Sequence, residues 1–77
     1  MATIKFHDIE VEYDAAAVHN WIVQRRIARG GNDFFEAFDA ILCGKADEVA
    51  EKLGGSVEVM GELSSAIGDA EGPDAKN

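Results

Sequence analysis

The chain has 77 residues, with 15 acidic residues against 7 basic ones and a net charge of −8. That length holds one small domain, and that charge speaks against a general nucleic-acid binder, since phosphate contacts need clustered cations. Cys43 is the only cysteine, so no internal disulfide can form, and no apolar run approaches the ~18 residues that a membrane span requires.

The N-terminus, M-A-T-I-K-F, lacks the long apolar region of a signal peptide, which points to a soluble intracellular protein. A core this small stabilises only marginally, with roughly 60% of the unfolded surface buried. With disulfides excluded and no metal-ligand spacing in the sequence, the support left is self-association into a homo-oligomer or a partner protein.

Residues 3–13, T-I-K-F-H-D-I-E-V-E-Y, alternate apolar and polar on both sides of His7-Asp8, the pattern of a β-hairpin. With those two as the turn, Phe6 faces Ile9, Ile4 faces Val11 and Ala2 faces Tyr13 on one apolar face, and Lys5 faces Glu10 on the other. One register satisfies both burial and charge pairing.

Asp14 before Ala15, Ala16 and Ala17 reads as a helix cap followed by strong helix formers, with the helix running to about Arg29 before Gly30-Gly31. Its main apolar stripe is Ala17, Val18, Trp21, Ile22 and Ala28, over which the stems of Arg25 and Arg29 can lie. Val23 and Ile27 fall on a different side. Flanked by Arg26, they form the candidate partner-binding strip.

Residues 33–42, D-F-F-E-A-F-D-A-I-L, hold three of the four phenylalanines. Phe34, Phe38, Ile41 and Leu42 share one face of a helix and form the centre of the core, with Phe35 at its edge. Asp33 reads as the cap, Glu36 as the second half of a capping box, and Gly44 as the stop. A short helix follows with Ala46, Val49, Ala50 and Leu53 inward and Asp47 and Glu48 in its first turn, ended by Gly54-Gly55. Ser56 caps a last helix that buries Val59 or Met60, Leu63, Ala66 and Ile67, although Val57-Glu58-Val59 also alternates as a strand would. Gly61 weakens that helix. Beyond Gly68 no large apolar residue remains, so the reading is one α+β domain over residues 1–68, mostly α, with a hairpin packed on three or four short helices and a disordered tail over residues 69–77.

Chemistry-bearing patterns are scarce. His7 and His19 lack zinc spacing, and no serine-nucleophile, phosphate-loop or calcium-loop motif occurs. The carboxylates Asp39, Asp47, Glu48 and Glu51 read as a solvated acidic surface. Neither an enzyme nor a cofactor is expected.

The order of parts is a hairpin, a helix with N-W early in it, a Gly-rich joint, an apolar helix ending L-C-G-K-A-D-E, then V-E-V-M-G-E-L and an acidic tail ending K-N. This layout resembles the small tail assembly chaperones of long-tailed bacteriophages and prophages. The resemblance implies a non-enzymatic protein of the host bacterial cytoplasm. Such a protein binds the tape measure protein during tail assembly and is absent from the mature virion. It also implies a second, longer form made by ribosomal slippage near Lys76-Asn77. No client-binding residue transfers by the resemblance. Charge and size alone equally suit a small acidic interaction module, antitoxin-like or anti-repressor, and an enzyme acting through Cys43 is a third class.

Overall fold

The computed structural model describes residues 2–72. Two antiparallel strands come first, β1 (Ala2–Phe6) and β2 (Ile9–Tyr13), paired Ala2 with Tyr13, Ile4 with Val11 and Phe6 with Ile9, with Lys5 opposite Glu10. This is the register that alternation and charge select. His7 and Asp8 turn the chain at φ of 50° and 64°, and two successive positive φ values give a two-residue turn whose twist matches the strands.

Five helices follow: α1 (Ala15–Val18), α2 (Trp21–Arg29), α3 (Gly31–Ile41), α4 (Ala46–Lys52) and α5 (Val57–Glu71). The fold is α+β, mostly α, as expected. Its buried centre comprises Val11 and Tyr13 of β2, Val18 of α1, Phe38, Ile41 and Leu42 around the end of α3, and Leu63 and Ile67 of α5. The backbone N–H of Asp14 donates to Ile41 O at 2.8 Å, which ties the end of the hairpin to the end of α3.

The single helix expected from Asp14 to about Arg29 is two helices. Asp14 caps α1 as expected, accepting from the amides of Ala16 and Ala17 at 3.0 and 3.3 Å. The chain then leaves the helix, and Asn20, extended at φ −81° and ψ 128°, caps α2 through bonds from Ile22 N and Val23 N at 2.9 and 3.1 Å. Ending one helix and starting another rotates the faces. Val23 and Ile27 pack half-buried against the core, while Trp21 and Ile22 of the expected core stripe face outward. The same rotation commits the arginines to α3: Arg26 pairs with Glu36, and Arg29 with Asp33 at 3.5 Å.

The capping box expected at Asp33 and Glu36 is not formed. Gly30, at φ 72°, lets α3 begin at Gly31, so Asp33 lies inside the first turn, where the helix dipole favours its charge. At the other end Cys43 and Gly44 take φ of 61° and 79°, and Gly44 N–H donates to Asp39 O at 2.8 Å and Cys43 N–H to Ala40 O at 3.1 Å. These bonds satisfy carbonyls that the helix end would leave unpaired. Asp39, read from the sequence as a solvent-facing acid, also accepts from Ala46 N at 3.0 Å and so starts α4, which has no cap of its own.

Ser56 caps α5 through Val59 N at 3.0 Å, and Val59, Leu63 and Ile67 are its buried residues. The helix does not stop at Gly68. It continues to Glu71, so residues 69–71, expected in a tail over 69–77, are helical. Glu71 ties this end to the rest of the fold: Tyr13 Oη donates to Glu71 Oε2 at 2.6 Å, and His19 Nε2 lies 3.0 Å from Glu71 Oε1. Residues 73–77 of the expected tail, including Lys76 and Asn77, lie outside the described residues.

Candidate protein-interaction surface

Among the described residues four large apolar side chains stay in water: Trp21 at 75% exposure, Val57 at 68%, Ile22 at 64% and Phe35 at 56%. Their positions follow from local structure. Trp21 and Ile22 open α2 directly after the Asn20 cap, Phe35 sits one step off the buried stripe of α3, and Val57 is the first residue of α5 after its Ser56 cap. A domain of this size has other places for single apolar residues, but two of these four lie on one feature.

That feature is a groove of about 440 Å³ between α3, α4 and the start of α5. Phe34, Phe35 and Phe38 line it from α3, Ala50 from α4, and Val57 and Met60 from α5. Its charged lining is acidic only: Glu36, Asp39 and Asp47. Glu36 is engaged by Arg26 and Asp39 by the Ala46 amide, whereas Asp47, in the first turn of α4, has no ion pair among those described. A second recess of about 370 Å³ lies where Val18, Gln24 and Ile27 face Ser64, Ser65 and Gly68 of α5. None of the four exposed apolar residues lines it.

The strip expected to face a partner, Val23, Arg26 and Ile27, is placed differently. Val23 and Ile27 rest on the core and Arg26 spans to Glu36. The outward face of α2 is instead Trp21, Ile22, Arg25, Ala28 and Arg29, all exposed. At about 100° per residue these five fall within one third of the helix circumference. The sequence carries this stripe openly, as the one expected to face the core. Without the break at Asn20, nothing in the sequence tells which of the two stripes the core takes.

The remaining titratable cluster is Tyr13, His19 and Glu71. Burial, followed by its bond to Glu71, pushes the Tyr13 phenol up to about 12. The same bond from Tyr13, followed by that from His19, lowers the Glu71 carboxyl below its ordinary range. The cluster lines neither recess, and its contacts join the hairpin and α1 to the end of α5. Among the described residues no group of three or more His, Cys, Asp or Glu is placed to hold a metal ion, and no helix is long and apolar enough to cross a membrane. Comparison with protein-family models, with curated proteins and with solved structures gave no match.

Proposed function

We propose that this chain is a non-enzymatic tail assembly chaperone that binds the tape measure protein of a long-tailed phage or prophage. It acts in the host bacterial cytoplasm and is absent from the finished virion. The observation that carries the reading is the exposure of Trp21, Ile22, Phe35 and Val57 on so small and acidic a chain. Exposed apolar side chains flanking a groove mark a protein-binding surface. A net charge of −8 keeps such a surface in solution. A tape measure chain exposes apolar helical faces until the tail tube encloses it, and shallow apolar surfaces of this kind accept an amphipathic helix. The layout from hairpin to K-N tail supports the same reading.

The test is co-expression with the large reading frame next to its gene, followed by pull-down of the tagged chain. A soluble complex with a long, helical tape measure protein is the expected result. Recovery of a toxin or a DNA-binding repressor instead would replace this reading with that of an antitoxin-like or anti-repressor module.

A further inference from the structure

The groove and the outward face of α2 are opposite in charge and alike in apolarity. α2 carries three arginines and no acid, which makes it the only helix among the described residues with more cations than acids. The three helices that form the groove carry three acids on α3, three on α4 and four on α5, against one lysine, Lys52. We infer that the groove between α3, α4 and α5 receives α2 of a second copy of this chain, with Trp21 and Ile22 packing on Phe35 and Val57 and Arg25 facing the acidic lining at Asp47.

Several observations converge on that occupant. The exposed large apolar residues among those described divide two and two, Trp21 and Ile22 on α2 and Phe35 and Val57 on the groove. Arg25 and Asp47 are both exposed, and neither has an ion pair among those described, so each is available to the other copy. A groove presented to another acidic helix would be repelled, whereas α2 brings Arg25, the one of its arginines not paired with α3 of its own copy. Each copy has one donor helix and one acceptor groove, so association proceeds either by reciprocal exchange in a closed pair or head to tail. The inference does not depend on the tape measure reading, and a client helix takes the same groove by displacing α2 of the second copy.

Sedimentation velocity of the full chain, from low micromolar to high micromolar concentration, tests it. The wild type is expected to associate with rising concentration, and more weakly at high salt. Arg25→Glu and Asp47→Lys are surface changes, and circular dichroism should show both folded. Each alone is expected to weaken association at least tenfold. An equimolar mixture is expected to recover it, because the wild-type α2 of one variant fits the wild-type groove of the other, and the reversed charges also match. A wild type that stays monomeric throughout overturns the inference. So does association that neither substitution weakens, or single losses that the mixture does not repair. The tape measure reading would survive any of these results, because co-purification with the client does not require self-association.

Discussion

Removing the Tyr13 hydroxyl probes the contact that the sequence least suggested, the tie between the hairpin and the end of α5. Tyr13→Phe keeps the ring in its buried site and deletes only the 2.6 Å bond to Glu71. A hydrogen bond to a charged group contributes about 1.5–3 kcal/mol. The Glu71 side chain is 16% exposed and keeps His19 as a neighbour, so water and His19 recover part of this, and the expected loss is about 1–2 kcal/mol. Against the ~4–12 kcal/mol of a domain this long, that lowers the melting temperature by about 5–12 °C. The gap between wild type and variant also depends on pH. The Glu71 carboxyl is lowered in the fold, so its contribution is complete above the ordinary carboxylate range and is lost as pH falls through the folded value. The Tyr13 phenol is raised to about 12, so its contribution is complete below about 10 and is lost as pH rises from there toward 12. Urea melts from pH 3 to 11 are therefore expected to show a plateau in the gap from about 5 to 10 that narrows at both ends. Hydrogen exchange should show faster opening of the last turn of α5 in the variant. Equal stability at neutral pH, or a gap that ignores pH, would refute the reasoning.

Phe38 is 3% exposed at the centre of the core, so Phe38→Ala should cost about 3–5 kcal/mol and leave no cooperative thermal transition. Val23→Asp with Ile27→Asp should unfold the domain, because both residues pack on the core. Trp21→Ser with Ile22→Ser should leave far-UV helicity and the melt unchanged within ~0.5 kcal/mol at concentrations where the chain is monomeric. Gly61 lies within α5, where an added Cβ meets no atom within 4 Å, so Gly61→Ala should raise stability by about 0.5–1 kcal/mol, read by urea denaturation.

The hairpin was legible because two independent signals, the apolar alternation and the Lys5–Glu10 pair, select the same register. The central helix was legible because Phe38, Ile41 and Leu42 can share a face in only one way. The α1–α2 break was not, because Asn20 is as acceptable inside a helix as at its cap, and the segment has an apolar stripe on either side. The choice falls to tertiary packing, which seats Val23 and Ile27 against the core and so exposes Trp21. Asp33 looked like a cap because the glycines before it suggested a joint, yet Gly31 itself is helical. The end of α5 lacks large apolar residues, and its Glu71 carboxylate is bonded to residues 58 and 52 positions away. No local pattern encodes such a contact. The groove was equally hidden, since Phe35 and Val57 are distant in sequence and line one groove only once α3, α4 and α5 are placed.

The most direct test of the central claim is to dilute a helical tape measure fragment out of denaturant, with and without this chain, and measure the fraction that stays in the supernatant. The account predicts that the chain holds the fragment in solution as a defined complex, and that Phe35→Ser with Val57→Ser reduces this at least tenfold without unfolding the chain. A fragment that precipitates equally in the presence of the folded chain would contradict it.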